Sequence, residues 1–442
     1  MSLRTPKPNK PPARRPTSRP VARRTNPYAR RLTPAAGRKT PDSAMKAGTR
    51  STLIGAVFLM ATSAIGPGFI TQTTLFTVSL GAAFAFAVVA SVLVDLAVQL
   101  NVWRVIGVSG RRAQELGNLV APRLGTAMAA LLFAGGLVFT VGNVSGTGLG
   151  TNAMVGLDPR LGGALSAVVA IGIFLAKRAG LALNRAVVVL GTVMIVLVGW
   201  FAVTSGPPVG RALRNVVLPE QADFLVITTL IGGTIGGYVM YAGAHRLLDS
   251  GVSGPQYVRQ ISRASVAGIL ITGLLRAVLF LAILGVVAGG ATLDKANPTA
   301  SAFQHAAGEV GLRAFGVLLW AAAIACVIGA AYTTVTFVTS RTTTSDGTRT
   351  ALVVLFIAVS TVIYLSVGTA PAKLLVFAGA FNGLLLPLGI GVLLWVAWQR
   401  ADLLRGYRYP RPLLILGGAA WLLTVYLAVR SIKPVFSLFG VS

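Results

Sequence analysis

The residues of this chain that could do chemistry gather around two interruptions in apolar sequence. Gly66-Pro67-Gly68-Phe69 breaks the run 53–80 and is followed by Thr71, Gln72, Thr73 and Thr74. Gly232-Gly233 and Gly236-Gly237 interrupt the run 224–248, with Tyr238 and Tyr241 just beyond. More polar side chains stand alone in other apolar runs: Thr140, Asn143 and Ser145, then Asn382. Hydroxyls, amides and phenols of this kind bind and orient a solute, and neither a nucleophile–base pair nor a phosphate-cradling loop accompanies them. One cysteine, Cys326, and two histidines, His245 and His305, are too few and too scattered for a disulfide or a metal cluster. The expected chemistry is reversible binding without a cofactor, not catalysis.

Two charges lie deep in apolar sequence, Asp95 and Arg276. Ionisable groups at such positions are costly and default to functional roles. Because neither is on an interrupted run, a structural pair or gate is expected, with Asp95 as carrier of a coupling proton the alternative. His245 and Asp249, four residues apart beside Arg246, fall on one helix face and read as a solvated inner gate.

A bilayer is the only setting that positions these residues. The 442-residue chain is 54% hydrophobic and 11% charged, with a mean hydropathy of +0.76, whereas a soluble domain is about a quarter charged. Eleven apolar stretches have the length of a crossing: 53–80, 82–103, 124–147, 161–176, 186–205, 222–248, 264–290, 312–339, 350–368, 371–398 and 412–430. A helix in hydrocarbon must satisfy its own backbone, so it is interrupted only where it lines a cavity or is buried in protein. Two interrupted segments at matching positions of two halves point to the central site of a secondary transporter. The expected architecture is an all-α polytopic membrane protein with two five-helix repeats, 51–220 and 221–400. Five is odd, so the repeats are inverted; 401–442 adds an eleventh helix and an external C-terminus.

With the N-terminus in the cytoplasm, sixteen loop Lys and Arg fall inside and eight outside, the tail left aside. This supports that orientation in the cytoplasmic membrane. Residues 1–50 hold 14 of the 39 Lys and Arg against one acid, Asp42, and supply much of the net charge of +28. They read as a disordered basic tail facing anionic lipid, or as sequence ahead of a true start at Met45. Their length does not fit a cleaved signal peptide. The bilayer and a small-molecule substrate are the expected partners, nucleic acid is not, and the oligomeric state is left open.

Several motifs resemble the Nramp superfamily of LeuT-fold transporters, over about residues 53 to 400. Gly66-Pro67-Gly68-Phe69 is similar to the family's Asp-Pro-Gly-Asn. Gly233-Thr234-Ile235-Gly236-Gly237-Tyr238-Val239-Met240-Tyr241 is similar to its sixth-helix Gly-Ala-Thr-Ile-Met-Pro-His-Asn-Leu-Tyr. Gly148-Leu149-Gly150-Thr151-Asn152 resembles the end of its third helix, and Val108-Ser109-Gly110 with Gln114-Glu115-Leu116 the loop after its second. The resemblance implies a LeuT-like fold with helices 1 and 6 broken, symport by alternating access, and coupling to Na⁺ or H⁺. A Na⁺ site would draw on carbonyls near Ala64 and Ile65 with a hydroxyl such as Thr334.

The positions that bind metal in the family are altered. Gly66, Phe69 and Gly236 stand where the family's Asp, Asn and Met coordinate the ion, and Gly379 is near its tenth-helix Gln. Thr140 and Asn143 replace its acidic pair, and Tyr238 its His. Divalent cations need carboxylate, imidazole or sulfur ligands to replace water. The altered site is expected to be larger and uncharged, lined by Gly66, Gly68, Phe69, Thr71, Gln72, Thr73, Thr140, Asn143, Gly236, Gly237, Tyr238, Tyr241 and Asn382. The half-helices starting near Gly68 and Tyr238 would turn their positive ends to a substrate carboxylate. A small organic carboxylate or amino-acid-like solute is therefore expected; a divalent cation such as Mg²⁺ or Mn²⁺, and a non-transporting sensor, are the alternatives.

Overall fold

Apolar runs of bilayer length fold as helices because hydrocarbon offers no partner for a free backbone N–H or C=O. The computed structural model describes residues 64–176, 198–294, 296–339, 344–368 and 370–437, with Leu53, Thr192, Ile195 and Val196. All belong to one unit, Gly48–Ser442. The calls on residues 1–50 and Met45, and on parts of 53–80 and 186–205, lie outside the described residues.

Every regular element among the described residues is helical. In chain order these are α1 Pro67–Leu80, α2 Phe84–Ser109, α3 Ala113–Val120, α4 Leu124–Val155, α5 Pro159–Leu175, α6 Val209–Val217 and α7 Phe224–Ile235. There follow α8 Val239–Asp249, α9 Val258–Ala288, α10 Pro298–Val338, α11 Asp346–Ser366, α12 Pro371–Gln399 and α13 Arg411–Ser437. Eight helical stretches among the described residues are long and apolar enough to cross a membrane, and α5 is a shorter apolar helix. One of the eight, Pro67–Ser109, holds two of the segments expected from sequence, because Gly81 (φ +55°) turns the chain between α1 and α2.

The segment expected at 312–339 begins earlier. Ala307 and Gly308 (φ +61°) are non-helical within α10, so a short helix ending near Ala306 precedes the crossing. His305 is exposed on that short helix, away from either interruption.

Close packing comes from small residues, as is usual in lipid. A Cβ on Gly150 of α4 would lie 2.7 Å from the backbone nitrogen of Trp320 on α10, so the two backbones meet directly. The stretch 224–249, holding α7 and α8, is central: 89% of its apolar window is buried, against 28% for α11 and for α13. α1 packs against α7, α9, α10 and α12, so both interrupted segments lie inside the bundle.

Candidate functional site

The first interruption is a two-residue break. Ala64 is helical, Ile65 and Gly66 are not, and α1 starts at Pro67. Proline suits a first helical position because it has no N–H to leave unpaired. Gly66 caps α1 in extended geometry with no side-chain hydrogen bond, which leaves the N-terminal amides of α1 to the interior. A Cβ on Gly66 would lie 2.9 Å from Cys326 Sγ and 3.7 Å from Asn143 Oδ1, so glycine here lets α4 and α10 close around the break.

The second interruption runs from Gly236 to Tyr238, between α7 and α8. Gly237 has φ +55°, and a Cβ there would be 2.1 Å from Asn382 Oδ1 on α12. The α12 amide is thus seated against the break.

Most of the hydroxyls expected to line the site have their protons committed to the helix backbone. Thr73 donates to Phe69 O at 2.7 Å and Thr74 to Ile70 O at 3.1 Å, while Thr299 donates to Thr74 Oγ1. Thr140 donates to Gly136 O and Ser145 to Gly142 O. Such back-bonding satisfies a hydroxyl locally. Thr71, Tyr238 and Tyr241 are all buried.

The amides behave differently. Gln72 Nε2 donates to Leu375 O at 2.9 Å, which fixes the flip of the amide; Gln72 Oε1 is buried with no partner. Asn382 Nδ2 donates to Gly135 O and Ala378 O, and its Oδ1 is likewise buried and unpartnered. Asn143 Nδ2, Thr334 Oγ1 and Tyr241 Oη are also buried with no hydrogen-bond partner.

The expectation of an uncharged site is corrected by Arg276. Its guanidinium stacks over the Phe69 ring with 4.3 Å from Cζ to centroid, and its Nη1 donates to Thr234 Oγ1 at 2.9 Å. Phe69 follows the first break and Thr234 precedes the second, so one buried cation touches both broken segments. Its Nε and Nη2 have no hydrogen-bond partner. Arg276 lies on α9, an unbroken helix, and its contacts follow from packing rather than from chain position. Asp95, 1% exposed on α2, is within electrostatic reach of Arg276.

The solvated inner gate expected at His245 and Asp249 needs correction at His245, whereas Asp249 is exposed. His245 is 4% exposed, with its ring between Tyr241 (5.8 Å between centroids) and Phe337 (5.4 Å). Asp249 pairs with Arg112 at 3.2 Å, and Arg112 also donates to Thr336 O at 3.3 Å. One arginine therefore ties the end of α8 to α10 and to the start of α3. Arg112→Ala is expected to loosen this end and to speed alkylation of the buried Cys326 by a membrane-permeant maleimide several-fold. Unchanged labelling would show that the tie does not hold the bundle closed.

The cavity beside the first break, lined by Ile65, Phe69, Ile70, Leu275 and Phe315 among others, has a volume of about 20 Å³, about enough for one water. Outside the spans, a hydrogen bond from Arg211 holds the Glu220 carboxyl below its ordinary value, and Arg400 does the same for Asp402. Both acids are exposed.

Residues 57–433 match the family described as Nramp, natural resistance-associated macrophage protein-like. The uncharacterized membrane protein YcsG of Bacillus subtilis (strain 168) is 46% identical over 387 residues, 88% of this chain and 95% of that protein. An uncharacterized membrane protein of Haemophilus influenzae is 45% identical over 388 residues, 88% of this chain and 96% of that one. Crystal structures of the Eremococcus coleocola manganese transporter superpose with a TM-score of 0.70 at 17% identity, covering 91% of this chain and 90% of that one. MhsT in complex with L-phenylalanine superposes with a TM-score of 0.63 at 17% identity, covering 87% and 98%. The fold is the LeuT-like one expected from the sequence.

Proposed function

This chain belongs to the Nramp family of membrane transporters, and we propose that its central site takes a small organic carboxylate or amino-acid-like solute, moved across the cytoplasmic membrane by alternating access. The observation that carries this reading is Arg276, a buried cation with two unpartnered N–H groups that contacts both broken segments. A planar guanidinium fork suits a carboxylate, and charge-assisted hydrogen bonds in a dry site are strong. The uncapped start of α1 adds the positive end of a helix dipole. Coupling to Na⁺ or H⁺ is part of the proposal.

Family membership favours a second reading, transport of a divalent cation. It is supported by the solved manganese transporter of the same fold and by the unpartnered carbonyl oxygens of Gln72 and Asn382, which are hard donors. Three observations weigh against it. Gly66, Phe69 and Gly236 offer no side-chain ligand, and no group of three or more His, Cys, Asp or Glu is assembled for a metal among the described residues. The Arg276 guanidinium would also repel a cation.

Purified full-length protein tests the choice, with amino acids, small carboxylates, Mn²⁺ and Mg²⁺ as ligands. A solute that binds only the folded state raises the Tm once its concentration exceeds its Kd. Cys326, the chain's only cysteine, gives a second readout next to Gly66. The expected result is that a carboxylate raises the Tm and slows maleimide labelling of Cys326, while Mn²⁺ does neither. Saturable stabilisation by a divalent cation alone would overturn the carboxylate reading.

A further inference from the structure

A carboxylate explains the use of Arg276 but leaves one buried group at the same place without a role. Gln72 is 1% exposed and sits on α1 three residues after Phe69, the ring on which Arg276 stacks. Its amide occupies a slot made by two glycines from other helices. A Cβ on Gly233 of α7 would lie 2.6 Å from Gln72 Oε1, and a Cβ on Gly379 of α12 would lie 2.4 Å from Gln72 Nε2. Any other residue at either position would force the amide to shift. Because Nε2 is held by Leu375 O, the oxygen cannot be exchanged for the nitrogen by a flip without losing that bond. Gln72 therefore presents a fixed acceptor, and an acceptor buried without a donor is costly.

The second coincidence is positional. Gln72 Oε1 faces Gly233, and Arg276 Nη1 is bonded to Thr234, the next residue along α7. The cation and the bare acceptor thus flank the last turn of α7 before the second break, both joined to the first half-turns of α1 through Phe69 and Gln72. A ligand that reaches from Arg276 across to the neighbouring residue of α7 would meet this acceptor.

Resting on the carboxylate reading, we infer that Gln72 Oε1 receives an N–H of the substrate, so that the transported molecules are carboxylates bearing an amine or amide N–H close to the carboxylate. Simple carboxylates, which have no donor there, leave Gln72 unsatisfied and are rejected. A site built to hydrogen-bond a substrate group discriminates against analogues that lack it far more sharply than an apolar pocket does.

Matched pairs test the inference on purified full-length protein by ligand-dependent Tm; three differ by an ammonium group, and the fourth by a neutral N–H alone. L-Alanine is compared with propionate, L-proline with cyclopentanecarboxylate, L-phenylalanine with 3-phenylpropionate, and N-acetylglycine with 4-oxopentanoate. In at least one pair the N–H member is expected to bind tenfold or more tightly, about the worth of one buried hydrogen bond. Gln72→Met, which removes the acceptor, should reduce that ratio to near one. Gly233→Ala, whose methyl would cover Oε1, should do the same if Gln72→Met does not fold.

Equal binding within every pair that binds would overturn the role of Gln72 and leave the carboxylate reading standing. Retention of the wild-type ratio in Gln72→Met or Gly233→Ala would do so as well. Failure of every carboxylate, with or without N–H, to stabilise the protein would remove the carboxylate reading and this inference with it.

Discussion

Arg276→Gln is expected to weaken carboxylate binding roughly a hundredfold, because truncating one partner of a buried charge pair costs about 2–5 kcal/mol. The readout is the ligand concentration needed to raise the Tm. Arg276→Lys should fall between, since an ammonium keeps the charge but loses the fork and the flat stacking on Phe69. Removing the guanidinium also takes the cation away from Asp95, which is buried within its electrostatic reach, so some loss of stability is expected beside the loss of binding. The two effects separate in the double variant Asp95→Asn with Arg276→Gln. Stability lost through Asp95 should return there, whereas carboxylate binding should not. If Arg276→Gln bound carboxylates as the wild type does, the guanidinium would have no part in recognition.

Gly237→Ala is expected to lower both stability and transport strongly. Left-handed backbone costs an alanine about 1–2 kcal/mol, and Gly237 has φ +55°. Its new methyl would also meet Asn382 Oδ1 at 2.1 Å. Asn382 cannot yield freely, because its amide donates to Gly135 O and Ala378 O, each bond worth about 1 kcal/mol net. Gly251→Ala supplies the control: Gly251 also has positive φ (+78°) but open space around it, so only the backbone term applies. Adding Asn382→Ala to Gly237→Ala should recover the steric part of the loss and leave the backbone part. Equal effects of Gly237→Ala and Gly251→Ala on the Tm would mean that contact with α12 at the second break carries no weight.

Much of the architecture was readable before any coordinate. Composition alone implies a membrane protein, since 11% charge cannot clothe a soluble surface. Both breaks were legible at Gly66 and at Gly236-Gly237 because glycine and proline in a hydrocarbon-spanning helix change local backbone geometry, and local geometry is written in adjacent residues. The crossing expected at 312–339 is preceded by a short helix that the sequence does not single out, because Pro298 to Ala306 mix Thr299, Ser301, Gln304 and His305 with apolar residues. Only the non-helical Ala307 and Gly308 separate them from the crossing.

The site divides along the same line. Its glycine-and-amide character is a property of residue types near the breaks, and Gln72, Asn143 and Asn382 could be picked out by being polar in apolar runs. Its charge could not. Arg276 is about 40 residues from the second break and on an unbroken helix, so reading along the chain sets it apart from the breaks. Packing of α9 against α1 brings its guanidinium to Phe69, from where it also reaches Thr234 on α7. Nor could sequence tell which hydroxyls bond back to their own helix, as Thr73, Thr74 and Thr140 do, or that His245 lies buried between Tyr241 and Phe337. By itself, then, the sequence determined a bilayer-spanning helical chain with two breaks, at which Gly66, Phe69 and Gly236 supply no side-chain ligand. Tertiary structure alone decided that a buried cation, Arg276, touches both broken segments and that two buried acceptors, Gln72 Oε1 and Asn382 Oδ1, lie beside them. Backbone breaks are local events, whereas the electrostatics of a buried site are the sum over every helix that packs against it.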